Sequence, residues 1–149
     1  MPIWDKLPPE ERRKYIQARL TPGRVVLLHC GFTTPPKDKF LVLAALEPEP
    51  LFFVINSKIN DFIRKRAHLA QCQVEIGHEE HPFLRHHSFI DCTEVRKIAL
   101  CDVHEQLERG LGRLKDDISP KVREQIIAAV KFAKTIPAKQ KAEILSALD

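Results

Sequence analysis

The chain has 149 residues, with 24 Lys and Arg against 20 Asp and Glu and a net charge of +4, an excess compatible with a polyanionic partner but too small to require one. That length can bury a real core and is read most simply as a single domain spanning 1–149. Only five glycines are present, and no Gly-x-Ser-x-Gly elbow, phosphate loop or dinucleotide fingerprint occurs, which disfavours the common hydrolase, nucleoside-triphosphatase and nicotinamide-enzyme classes.

The N-terminal stretch from Met1 turns charged at once and lacks the apolar core of a signal peptide. The longest apolar runs fall far short of the roughly 20 residues that span a bilayer. A cytoplasmic protein without a membrane segment is therefore expected. Cys30, Cys72, Cys92 and Cys101 lie far apart without a Cys-x-x-Cys pair, which fits reduced, buried thiols better than a disulfide framework.

In chain order, Pro8 to Leu20 predicts a helix, since prolines and acids suit a first turn and Tyr15, Ile16, Arg19 and Leu20 have helical spacing. Thr21-Pro-Gly23 ends it. Three short strands follow, Arg24 to His29, Phe40 to Leu46 and Leu51 to Ser57, rich in Val, Leu, Ile and Phe and bounded by Pro and Gly. Gly31 to Lys39 is the loop between the first two, and Pro48 and Pro50 make Glu47 to Pro50 a turn. Ile59 to Ala70 predicts a short helix, and Gln71 to Ile76 alternates like a half-exposed strand. Gly77 to His87 is a histidine-rich loop, and Ser88 to Cys92 and Glu94 to Leu100 predict two further strands. Asp102-Val-His-Glu105 has the spacing of a capping box, with Gly110 as a stop and a brief pairing near Arg113 to Lys115. Ser119 and Pro120 open the clearest helix, with Val122, Ile126, Ala129, Val130 and Ala133 as its buried stripe. A last helix starts near Pro137 and carries Ile144, Leu145 and Leu148.

Polar groups gather at the strand ends. Lys37, Asp38 and Lys39 precede the second strand and Asn56 and Ser57 close the third, so a curled sheet brings a cation and a hydroxyl to one rim suited to a phosphoryl oxygen. His29, at the end of the first strand, is a candidate for general acid-base catalysis, and a hydrogen-bonded strand-end residue is its other reading. Lys58, Arg64, Lys65 and Arg66 oppose only Asp61, a solvated helix face or a backbone-contact patch. His78, His81, His86 and His87 crowd one loop with Glu79, Glu80 and Asp91. Imidazoles and carboxylates are zinc ligands, but the spacing is one residue short of the helical zinc-hydrolase pattern, and Gly77 and Pro82 bracket it against a helix. The loop is assigned no metal.

Taken together, Leu20 to Leu27, the Gly31 to Lys39 loop with Phe40 to Ala44, Val54 to Ser57, Ser88 to Ile98 and the closing Leu107 to Leu114 and Ser119 to Lys134 resemble the PemK and MazF-like family of bacterial toxin ribonucleases. The resemblance covers about residues 20–134. It implies a mainly β fold with flanking helices (α+β), a small SH3-like, PemK-like barrel over about 21–101 carrying an N-terminal helix and a helical C-terminal extension over about 102–149. It also implies a homodimer, cleavage of single-stranded RNA without metal or other cofactor, and an antitoxin partner. The family has Arg-Pro at the start of its second strand, with the arginine catalytic, where this chain has Lys39-Phe40. Lysine supplies charge but not a bidentate guanidinium fork. Ser57 falls on the family's catalytic Ser or Thr position, Lys39 is a substitute, and His29, His78 or His81 would be recruited for proton transfer.

The reading is thus a protein that binds single-stranded RNA, with cleavage as the open question, in a toxin-antitoxin or defence module. Lys39, Ser57 and His29 are the catalytic candidates, and Lys37, Asn56, Lys58, Arg64, Arg66, His78 and His81 the RNA-binding ones. The alternatives are a noncatalytic protein-interaction module on the same barrel and, third, a metal-dependent hydrolase using the His78 to His87 loop.

Overall fold

The computed structural model describes residues 3–149; Met1 and Pro2, which begin the charged N-terminal stretch, lie outside them. The elements in order are α1 (Ile3–Lys6), α2 (Pro9–Arg19), β1 (Arg24–Cys30), β2 (Lys37–Ala45), β3 (Leu51–Asn56), α3 (Asp61–Arg64), α4 (Ala67–Ala70), β4 (Gln73–Ile76), β5 (Ser88–Lys97), α5 (Leu100–Arg109), β6 (Leu114–Asp117), α6 (Pro120–Phe132) and α7 (Ala138–Leu148), with a 3-10 turn at Leu111–Arg113 before β6.

The strands form one antiparallel sheet ordered β4-β5-β3-β2-β1-β6, a curled half-barrel whose edges are β4 and β6. Both faces are covered. Val42, Ala44, Phe53 and Ile90 join Val122, Ile126 and Ile144 of α6 and α7 in one core, while Val26, Leu28, Leu41 and Phe52 meet Ile16 of α2 and Val103 and Leu107 of α5 in the other. This double burial explains why Leu41 to Ala45 reads as an unbroken apolar run rather than an alternation.

The predicted helix starts and stops have local causes. Ser119 Oγ accepts from the Val122 N–H and Pro120 occupies the first position of α6, whose Val122, Ile126, Ala129 and Val130 stripe is buried. Gly23, ending the turn before β1, has φ +99, and a Cβ there would stand 2.5 Å from Arg123 Nη2, which itself donates to the Pro22 carbonyl. Only glycine fits such a position.

Several elements differ from the sequence expectation. β2 begins at Lys37, so Lys37 to Lys39 are strand residues and not the end of a loop. The Ile59 to Ala70 helix is two single turns, α3 capped by Asn60 and α4, separated at Lys65 and Arg66. The Asp102 capping box is not used, because α5 begins three residues earlier than that box would set it, with Ala99 as its cap residue. Cys101 is exposed, whereas Cys30, Cys72 and Cys92 are buried free thiols.

The two strands expected over 88–100 are one strand with an irregularity. β5 pairs β3 through Asp91↔Val54 and Arg96↔Phe52, so β5 advances five residues where β3 advances two. In a regular strand, residues 91 and 96 would point to opposite faces. The extra residues between them break that alternation. Asp91 closes the irregular stretch, its Oδ1 accepting from Gln73 Nε2 and from the Thr93 N–H and hydroxyl.

Candidate functional site

Strand alternation places Lys37 and Lys39 on the same face as Leu41 and Leu43, where β2 outruns the hydrophobic core. Val54 and Asn56 of β3 lie beside them, and the broken register of β5 adds Asp91, Glu94 and Arg96. The Phe32 to Thr34 turn and Asn60 close the ends of a groove of about 300 Å³. Lys39 Nζ donates to Asn56 Oδ1 at 2.8 Å, which fixes the ammonium between the two strands. Arg96 pairs with Glu94 at 3.1 Å and lies over the face of Phe32 with its Cζ 4.3 Å from the ring centroid, a cation-π geometry.

Three cations, Lys37, Lys39 and Arg96, thus share the lining with the two carboxylates of Asp91 and Glu94. Partial burial, and then the neighbouring Lys37 charge, lowers the Lys39 pKa below the usual lysine value. Cys30, on β1 directly across from Lys37, has its thiol pKa raised by burial, which keeps it protonated and unreactive at neutral pH. The groove offers charge for an anionic oxygen, amide and hydroxyl donors from Asn56, Asn60 and Thr34, and an aromatic face.

Of the residues singled out from sequence, Lys37, Lys39 and Asn56 come together here. His29 does not. It is registered opposite Asp38, and its Nδ1 lies 3.1 Å from Asp38 Oδ1, with Arg113 on the other carboxylate oxygen. Asp38 alternates with Lys37 and Lys39, so this cluster projects from the opposite face of the sheet. Ser57 is an exposed residue one position beyond β3 and does not line the groove; the polar partner at the strand end is the Asn56 amide.

His81 corrects the RNA-binding assignment. It is buried, its Nε2 accepts from the Ser119 N–H at 3.0 Å, and its Nδ1 donates to the Gly77 carbonyl at 3.0 Å. Both nitrogens are used in holding the histidine-rich loop to the start of α6. His78 lines a different cavity, between β4 and α6, with Glu75, Glu79, His87 and Lys121. Among the described residues no three His, Cys, Asp or Glu side chains gather as metal ligands. Lys58, Arg64 and Arg66 are exposed on the α3 side, away from the groove lining; Arg64 pairs with Asp61 and Arg66 stacks on Phe62.

Phe32, Asn60, Asp91, Glu94 and Arg96 complete the groove without having been anticipated. For Arg96 the sequence carries a signal only in retrospect, a strand of ten residues with Asp and Thr at its middle, where local side-chain to backbone bonds compete with a regular ladder.

No family model matches the chain, and no curated protein matches it. Among solved structures it is similar to the Mycobacterium tuberculosis toxin MazF-mt6, at a TM-score of 0.49 and 12% identity, over 71% of this chain and 90% of that one. No helix among the described residues is long and apolar enough to cross a membrane.

Proposed function

We propose that the groove between β2, β3 and β5 binds single-stranded RNA, with Lys37, Lys39 and Arg96 on the phosphates and Phe32 as a stacking face for an unpaired base. The observation that carries this is the convergence of three cations beside one partly exposed aromatic ring in a single concavity. A cationic track with an aromatic platform is the means by which unpaired nucleic acid is held. Asp91 and Glu94 add acceptors for base amino groups or a ribose hydroxyl.

Strand scission would ask more of the groove: a base for the 2′-hydroxyl, a cation for the phosphorane and an acid for the leaving oxygen. Lys39 and Arg96 are the candidates for the cation, and Glu94 for the base. In the same reading the protein works as a cytoplasmic homodimer in a toxin-antitoxin or related defence module, restrained by a protein antitoxin, an assignment supported by the sequence resemblance. A second reading, a noncatalytic protein-interaction module, draws on the unpaired edge of β4.

The test is titration of a labelled mixed-sequence single-stranded RNA at two salt concentrations, with gel analysis of the same mixtures with and without chelator. Salt-dependent binding weakened by Lys39→Ala and little changed by Ser57→Ala is expected. Scission insensitive to chelator and lost in Lys39→Ala extends the reading to a metal-independent ribonuclease. Absence of salt-dependent binding sinks the RNA reading altogether.

A further inference from the structure

β4 is the outer strand of the sheet at the end away from β6. The Cys92 N–H donates to the Cys72 carbonyl, and Val74 and Ile76 stand opposite Ile90 and Ser88. Antiparallel ladders alternate, so Cys72, Val74 and Ile76 turn their backbone groups toward β5, and Gln73 and Glu75 turn theirs outward. Among the described residues no backbone group pairs with the Gln73 or Glu75 N–H. Such an edge is a template for another strand.

Two adjoining cavities, of about 460 and about 490 Å³, run along this edge and share Glu75 and Gln125. α6 forms the floor. At one end Ala128, Ala129 and the half-exposed Phe132 make it apolar. At the other, Glu75, Glu79 and Glu80 stand against Lys121 as the only Lys or Arg in the lining. The chemistry along the groove is therefore graded, from apolar beside Phe132 to acidic beside Gly77.

We infer that this edge is a docking site for an extended peptide segment of a partner protein, which adds to β4 as a seventh, antiparallel strand. Main-chain bonds to Gln73 and Glu75 supply its affinity, alternate side chains of the segment rest on Ala128 and Phe132, and basic residues at its N-terminal end meet the Glu75, Glu79 and Glu80 carboxylates. Strand addition of this kind takes affinity from the backbone and specificity from pockets for alternate side chains. The acidic end selects a cationic segment by charge complementarity. The edge shares no lining residue with the Lys39 groove and meets it through the Gln73 to Asp91 side-chain hydrogen bond, and the inference holds whether or not that groove binds RNA.

The probe is a labelled, end-capped peptide of alternating valine and threonine with lysines at its N-terminal end, titrated by anisotropy and followed by amide exchange. Saturable binding with new protection of the Gln73 and Glu75 amides is expected. Glu79→Lys with Glu80→Lys should weaken binding about fivefold, and moving the lysines to the other end of the peptide should do the same. Gln73→Pro removes an outward N–H without touching the β5 ladder, so it should cost at least about tenfold in binding while the Val74 and Ile76 amides stay protected. No binding by the wild-type protein, binding without protection at Gln73 and Glu75, equal binding by Gln73→Pro, or sedimentation showing a second copy of this chain on the edge would each overturn the proposal.

Discussion

Lys39 and Asn56 are joined across β2 and β3, the ammonium donating to the amide oxygen at 2.8 Å. The amide positions the cation without neutralising it, so the charge stays available to an anion. Lys39→Ala should lower single-stranded RNA affinity about tenfold and reduce the slope of log affinity against log salt by about 0.7, the value for one phosphate contact on a single strand. Asn56→Ala should lower affinity less, leave the slope unchanged and be measurable in the same titration. Because the Lys39 pKa lies below the usual lysine value, binding should begin to weaken at a lower alkaline pH in the wild type than in Lys39→Arg.

Arg96 on the face of Phe32 makes a second, separable contribution. Phe32→Ala should reduce affinity by about 1–3 kcal/mol, the range for loss of one base-stacking platform, with the salt slope unchanged. Arg96→Gln should lower the slope as well. Isothermal titration at several salt concentrations distinguishes the two, and identical salt profiles for both variants would remove Phe32 from the stacking role.

The parts of this groove that sequence makes legible are those set by strand periodicity. Lys37, Lys39 and Asn56 stand at the ends of apolar runs whose lengths mark them as strands, so their convergence at one rim follows from the alternation of a sheet. The same runs, with the Ser119-Pro120 start, make most of the sheet and α6 readable. The rest depends on features without a period. Arg96 and Asp91 share a face because β5 carries extra residues against β3, which no alternation rule foresees. His29 is lost from the site for the opposite reason, since β2 starts at Lys37 and regular alternation carries Asp38 and its partner to the other face. His81 looks like one of several loop histidines until tertiary packing puts it under α6.

His81→Ala should destabilise the fold by about 1–3 kcal/mol. The substitution leaves the part-buried Ser119 N–H without its acceptor, while the Gly77 carbonyl loses the ring and keeps the backbone N–H of residue 81; one unmade buried hydrogen bond carries a desolvation cost of that order. Chemical denaturation measures it. A loss no larger than that of a surface histidine such as His86→Ala would show that the loop is not anchored through this ring.

Gly23→Ala should also destabilise, by about 1–3 kcal/mol. It combines a left-handed backbone with a clash against the Arg123 guanidinium, which would have to release the Pro22 carbonyl. Thermal denaturation should show the loss, and the Gly23→Ala, Arg123→Ala double variant should recover part of the steric component but not the backbone component.

His104 gives the fold a pH dependence. Its ring is buried on α5 with Nδ1 unpartnered, and burial lowers its pKa below the ordinary histidine value, while Glu108 opposes the shift and Arg13 adds to it. The unfolded chain therefore binds the proton more tightly than the folded one. Stability is fully present above about pH 6.5 and declines as pH falls through the histidine range toward the folded pKa. Denaturation midpoints measured between about pH 7.5 and pH 5 should fall for the wild type, and His104→Gln should flatten that part of the profile.

The irregular stretch of β5 makes the composition of the groove a matter of counting. Which face receives Glu94 and Arg96 is set by how many residues lie between Asp91 and Arg96 relative to the two-residue step of β3. Changing that number by one would exchange the inward and outward side chains of β5 on one side of the stretch while altering no residue type among them. Point substitutions can therefore tune this groove only gradually, whereas a single-codon insertion or deletion in the stretch would exchange Glu94 and Arg96 together for their neighbours.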